Sequence, residues 1–512
     1  MVEPTPFAER ITAAYAAEGP VVDLGRGVLD GETLPDAVVQ LPAAMCNRHG
    51  LIAGATGTGK TKTLQLMAEQ LSGIGVAVFA ADVKGDLTGL LRPGEAGDRV
   101  TARAKELGVE FTPVGHPVTF LALGGIGPGV PVRATVSSFG PQLLAKVLGA
   151  NRTQASSLSL VFHYADEAGL ALLDLSDLRA VLQYLTSDDG KAELAGIGGI
   201  STATAGVLLR SVTQLADEGG DEFFGEPELD VHDLLRTTDD GAGVISCLEL
   251  AAVQDKPRLF STFLMWLLAE LFQALPEVGD LDKPKLVFFF DEAHLLFDDA
   301  PDEFVDQVAQ TVRLVRSKGV GVFFVTQLPD DVPDEVLAQL GNRVQHALRA
   351  FTPRDAKALK AAVTTYPKTD DYDLEEDLTQ LGTGEAMVTI LSERGAPTPV
   401  VWTKLRPPTS LMAAIDPKEV ERLAEESPLW PTYAEEVDRE SARERLAAKT
   451  AAGAEPATPA KGEKAQRPAP RPQPKGTKKD ENAVIAYVKS REGRSMLNTV
   501  ARGVFGLLKK RR

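Results

Sequence analysis

The stretch Gly50-Leu51-Ile52-Ala53-Gly54-Ala55-Thr56-Gly57-Thr58-Gly59-Lys60-Thr61-Lys62 decides how the rest of the chain is read. An apolar run enters a loop with glycines at three positions, and the loop opens directly into the amphipathic run 62–71. Such glycines let the backbone curl so that successive N–H groups point inward at a polyphosphate, while the following helix presents its positive end. Gly54, Ala55, Thr56, Gly57, Thr58, Gly59, Lys60, Thr61 and Lys62 are therefore the predicted phosphate cradle. Lys60 is placed to reach the terminal phosphates and the Thr61 hydroxyl to ligate a metal, so ATP with Mg2+ is the expected ligand. A chance glycine turn is a poor account of a complete motif set between a strand-like and a helix-like run.

Hydrolysis needs a carboxylate at the end of a neighbouring strand for the metal shell, and a second acid to orient the attacking water. The run Lys285-Leu286-Val287-Phe288-Phe289-Phe290-Asp291-Glu292-Ala293-His294 supplies both, with Asp291 assigned to the metal and Glu292 to the water. An acidic turn after a core strand is the bland alternative, and the phosphate loop lowers its weight. His294 is expected to pack or hydrogen-bond rather than to react. The run 320–325 ends in Thr326-Gln327, whose amide could sense the terminal phosphate or place water. The helical pattern before it carries Arg313 and Arg316 on a shared face. Arginine stabilises the charge of a transferring phosphoryl group, and Arg316 is the preferred candidate, with Arg313, Arg343 and Arg349 behind it. Asp82 could touch the site or cap a helix, and the residues do not choose between the two.

Working outward, further apolar, β-rich runs lie at 76–81, 244–248, 286–290, 320–325 and 386–390, separated by helical patterns. Alternation of this kind predicts an α/β fold, a mostly parallel RecA-like sheet with helices on both faces. The predicted organisation is a short N-terminal segment at 1–48 and the ATPase core in two parts, 49–140 and 241–410. Between those parts lies a helical insertion at 141–240. Charged helices at 411–450 lead to a Pro/Ala/Lys linker at 451–480 that cannot bury enough apolar surface to fold. Residues 481–512 form a basic segment with apolar periodicity.

The net charge of −18 is unevenly spread, since residues 461–512 hold 15 Lys or Arg against 4 Asp or Glu. A basic tail on an acidic body offers an anchor for nucleic acid, a protein or an anionic membrane surface. No apolar run approaches the ~20 residues that span a bilayer. No secretion signal is readable at the start, and the cytoplasm is the expected compartment. Cys46 and Cys247 are the two cysteines, read as ordinary core, which excludes a cysteine metal cluster or a disulfide framework.

The Asp-Glu-Ala-His tetrad invites a superfamily-two helicase reading, but one core and no late Gln-x-x-Gly-Arg-x-Gly-Arg signature argue against it. Leu71-Ser72-Gly73-Ile74-Gly75 is likewise an incomplete ABC signature lying too near the phosphate loop. The chain instead resembles the HerA/FtsK superfamily of RecA-like translocases over roughly residues 20 to 405. The resemblance rests on 48–61, on Asp82-Val83-Lys84-Gly85-Asp86, on Phe290-Asp291-Glu292-Ala293-His294, and on Val325-Thr326-Gln327-Leu328-Pro329 with Val336-Leu337 and Asn342. The run 83–87 and the tail 495–503 look most like the YjgR-like branch, named for its HerA-like C-terminal helicase domain. This resemblance implies a homo-oligomer, a hexamer, with ATP sites between subunits and an arginine finger in trans. It also implies double-stranded DNA as a polymer in the channel. HerA itself carries a β-barrel ahead of its loop, whereas 53 residues precede Gly54 here, which argues against a NurA-like nuclease partner. Two functions follow: a DNA translocase or helicase-like ATPase, and an ATP-dependent protein scaffold or remodeller that does not act on DNA.

Overall fold

A computed structural model describes residues 4–194, 198–279, 281–297 and 302–454. The basic segment at 481–512 and most of the expected linker at 451–480 lie outside the described residues. The described chain divides into two compact units, Met1–Ala134 with Gln214–Val437, and Thr135–Thr213 with the described residues from Asp438 onward.

The first unit is built on one twelve-stranded sheet: β1 Val21–Leu29, β2 Glu32–Pro42, β3 Gly50–Ala53, β4 Ala77–Asp82, β5 Val118–Leu123, β6 Val130–Val132, β7 Ile245–Glu249, β8 Leu286–Phe290, β9 Val320–Thr326, β10 Asn342–Gln345, β11 Glu385–Thr389 and β12 Val401–Leu405. Their spatial order is β2-β1-β12-β11-β10-β3-β9-β8-β4-β7-β5-β6. From β10 to β6 every neighbouring pair is parallel, and the four strands beyond β10 are antiparallel. The fold is thus the predicted RecA-like α/β sheet, extended at one edge by antiparallel strands in which β2 pairs with β1, β1 with β12 and β12 with β11.

Strands β4, β7, β8 and β9 are buried along their whole length, which explains their near-continuous apolar sequence. Phe289 stacks on Phe323 across β8 and β9 with ring centroids 5.3 Å apart, and Phe79 lies 5.0 Å from Phe288 across β4 and β8. The six runs read from sequence correspond to β3, β4, β7, β8, β9 and β11. Of the other six strands, β1 and β2 lie in the N-terminal segment 1–48, and β5, β6, β10 and β12 gave no clear run. Of these β10 is only Asn-Arg-Val-Gln, too short and too polar to stand out from its surroundings.

The second unit is helical. Helices Val136–Val147, Arg152–Glu167 and Leu175–Thr186 are joined by Ala442–Ala454, more than 250 residues further along the chain. Asn151 and Asp174 cap their helices reciprocally with Gln154 and Asp177. Buried Asp177 also accepts from the Ser441 hydroxyl at 2.5 Å and the Arg443 N–H at 2.9 Å, which fixes the late helix to the early ones. The unit thus starts a few residues before the expected insertion at 141–240 and ends well inside it. Residues 214–240 of the expected insertion belong to the first unit, while the late helix, read as part of the charged helices at 411–450, belongs with the second. Among the described residues no helix is long and apolar enough to cross a membrane.

Candidate active site

Every parallel strand of the first unit points its C-terminal end to the same edge of the sheet, the edge where ligands bind in open α/β folds. The phosphate loop leaves β3 there and is held from both sides. Gly54 N–H donates to Thr326 O at the end of β9 (3.2 Å), and Ala55 N–H to Ala347 O just beyond β10 (2.8 Å). Gly54, Gly57 and Gly59 have φ of +152°, +80° and +114°, the left-handed region the loop requires. A Cβ on Gly54 would meet the Cβ of His346 at 2.5 Å, so the close approach also demands glycine. The helix Lys60–Gly73 starts from Gly59 with no side-chain cap, leaving its first N–H groups for an anion.

The Lys60 side chain folds inward and donates to Gly54 O at 2.7 Å and Ala55 O at 3.3 Å. Thr61 and Lys62 are half-buried at the helix start. Thr63, one turn up from Gly59, shares a 2.8 Å hydrogen bond with Nε2 of fully buried His346, whose pKa burial pushes down to about 3. Neutral His346 therefore ties the phosphate-loop helix to the end of β10. Thr383-Gly384 completes the surround, Gly384 N–H donating to Thr58 O at 2.9 Å.

Asp291 and Glu292 follow β8, one strand removed from β3 across β9, and are 2% and 5% exposed. Asp291 Oδ1 accepts from the Glu292 N–H at 3.0 Å, while Oδ2 is buried with no hydrogen-bond partner. An orphaned buried carboxylate oxygen beside a phosphate cradle is what a divalent cation would satisfy. Burial, then the Glu292 charge, raises the Asp291 pKa to about 7. Glu292 sits at φ +49°. Its Oε1 is ion-paired with Lys84, and its Oε2 lies 3.3 Å from His294 Nδ1. Although burial opposes it, the Lys84 partnership holds the Glu292 pKa below the usual carboxylate range.

Thr326 Oγ1 and the Leu328 N–H both bind Asp331 Oδ2, at 2.7 and 2.8 Å, so the turn after β9 is fixed and Gln327 projects exposed from it. Asp82 is buried and gathers the N–H groups of Lys84, Gly85, Asp86 and Leu87, which makes it the anchor of a turn. Arg316 is placed differently. It precedes β9, at the N-terminal ends of the parallel strands, so the seven residues of β9, about 20 Å of strand, separate it from this chain's own phosphate loop. Arg313 lies on the same helix end and is exposed. Arg343 and Arg349 are engaged with Thr365 and Thr379. Lys84 and His346, like Thr63 and Gly384, line the candidate site without having been singled out by motif reading. Lys84 stood within the quoted run Asp82-Val83-Lys84-Gly85-Asp86, and His346 carried no local signal at all.

A parallel sheet with a glycine loop at one strand end and a carboxylate pair two strands over defines a P-loop nucleoside-triphosphatase of the RecA-like kind. The chain belongs to the family described as helicase HerA-like C-terminal, whose model matches residues 28–511. It is 24% identical over 360 residues to a curated "probable helicase" of Methanocaldococcus jannaschii, covering 67% of this chain and 64% of that protein. It thus spans somewhat under two thirds of that relative's length. Among solved structures it is similar to the bacterial conjugative coupling protein TrwB. In the sulphate complex the TM-score is 0.52 at 15% identity, with 81% of this chain and 94% of that one covered. In the complex with ADP and Mg2+ the TM-score is 0.51 at 16% identity, with 78% and 97% covered. These likenesses speak to the fold.

Proposed function

We propose that the chain binds ATP with Mg2+ at this site and hydrolyses it as one subunit of a homo-oligomeric ring motor on double-stranded DNA. The observation that carries the chemistry is the meeting, on one sheet edge, of the inward-folded Lys60, the orphaned Asp291 oxygen and the buried Glu292. Lys60 exchanges its loop carbonyls for the terminal phosphate oxygens, and the open N–H groups of the loop and helix start take the remainder. Mg2+ held by Thr61 and Asp291 would neutralise charge on those phosphates. Glu292 accepts a hydrogen bond, then a proton, from the attacking water. Gln327 orients water or phosphate from the neighbouring turn. Arg316, at the far end of the strands, serves an adjacent subunit's site.

The DNA part is supported by the family, by the relative named a probable helicase, and by the basic residues gathered at 461–512. The test is ATP turnover with and without duplex DNA at low salt, beside the Glu292→Gln variant. Glu292→Gln is expected to keep nucleotide binding and lose ~100-fold or more in turnover. Turnover equal to the parent removes Glu292 from the mechanism. An active parent that neither binds DNA nor responds to it overturns the DNA motor and favours the scaffold or remodeller.

A further inference from the structure

The turn after β4 is more firmly built than a connecting loop requires. One buried carboxylate, Asp82, collects four successive backbone N–H groups at 2.7 to 3.3 Å. Gln254 donates to Val83 O at 2.5 Å from outside, and Leu250 N–H donates to Asp82 O at 2.9 Å. The backbone at residue 84 is thereby fixed, and β4 lies directly beside β8, with Ala81 paired to Phe290. This places Lys84 over the end of β8, where its ammonium meets Glu292 Oε1.

Glu292 needs such help. Its φ of +49° is a region a side-chain-bearing residue occupies only when its surroundings over-determine it. On the far side its Oε2 faces His294 Nδ1 at 3.3 Å, outside good hydrogen-bond geometry. The Lys84 contact is the close one. Stability is a poor reason for it, because the Lys84 side chain is 48% exposed and half-exposed ion pairs add little to folding.

We propose that Lys84 is a positioning residue for ATP hydrolysis: it fixes one Glu292 oxygen so that the carboxylate faces the attacking water in a single orientation. This rests on the reading of Glu292 as the water-orienting acid. The Asp82 turn serves as the rigid mount, and Lys84 acts through Glu292 rather than on the nucleotide.

The experiment is steady-state turnover and nucleotide affinity for the full chain and for Lys84→Met, Lys84→Arg, Glu292→Gln and the Lys84→Met/Glu292→Gln double variant. Removing the charge while keeping the length should lower kcat by about 10-fold or more and leave KM and nucleotide affinity within about twofold, the split expected when a carboxylate loses its aim. The arginine variant should recover much of that loss, and the double variant should lose no more than Glu292→Gln alone. Unchanged kcat in Lys84→Met overturns the inference while leaving the ATPase reading intact. So does a matched loss of kcat and affinity in both the Met and Arg variants, since it would mean that Lys84 contacts nucleotide or merely supports the turn. A parent that binds ATP without turning it over overturns the ATPase reading, and the positioning role falls with it.

Discussion

Glu249, at the end of β7, lies opposite Asp82 of β4 in the sheet register, and both carboxyls are buried. Burial first, then the Asp82 charge, pushes the Glu249 pKa up to about 8, and burial lifts Asp82 to about 6. A carboxyl whose folded pKa lies above its unfolded value binds its proton more firmly when native, so its contribution to stability is full at low pH and is lost as pH rises toward the folded pKa. The chain is therefore expected to lose thermal stability between about pH 4 and pH 8 through Glu249. Glu249→Gln should flatten that slope, gaining most over the parent near pH 8 and least near pH 5. Melting temperatures at the two pH values check it, and parallel curves would refute the assignment. Lys60, Thr61, Asp291 and Glu292 were legible because each belongs to a motif whose chemistry is local in sequence. Lys84 against Glu292 was not, since the pairing exists only once β4 and β8 are side by side. The Cys247 thiol, read as core, is buried but also donates to Glu249 at 3.3 Å.

Strand β10 depends on its surroundings. Only four residues long, it pairs in parallel with β3 and antiparallel with β11, which makes it the junction of the two halves of the sheet. Asn342 sets its start: Nδ2 donates to Met45 O and His49 O, both at 2.9 Å, and Oδ1 accepts from the Leu391 N–H at 3.1 Å. With the residue 2% exposed, deletion of this amide removes three buried hydrogen bonds to backbone groups, of which only His49 O keeps the Asn342 N–H at 3.1 Å. Asn342→Ala is expected to cost about 3 kcal/mol, read as a lower denaturant midpoint at unchanged slope. A loss within experimental error would show that water replaces the side chain. The long apolar strands announced themselves by composition, because burial on both faces forces it. Strand β10 did not, because what defines it is hydrogen bonding by Asn342 and register against β3. The expected insertion at 141–240 overlaps the helical unit that starts at Thr135, but nothing local tells that residues 442–454 return to it.

At the scale of the whole molecule, the separation of Arg316 from the phosphate loop constrains how a finger could work. If Arg316 completes a neighbour's site, Arg316→Ala should bind nucleotide and assemble as the parent does, with turnover lowered by ~100-fold or more. Sedimentation with and without ATP, run beside the turnover assay, checks both halves. Parental turnover in this variant would assign the finger elsewhere or to no residue. The bracketing of the phosphate loop has another consequence. Strand β3 ends at residue 53, yet both of its neighbours, β9 and β10, come more than 260 residues later, and Gly384 is later still. Contacts of such long range make the loop slow to form. During synthesis, a nascent chain carries the whole phosphate motif from its earliest length but cannot hold it in shape. If nucleotide binds as proposed, competence for it arrives only once Thr326, Ala347 and Gly384 have left the ribosome to hold the loop.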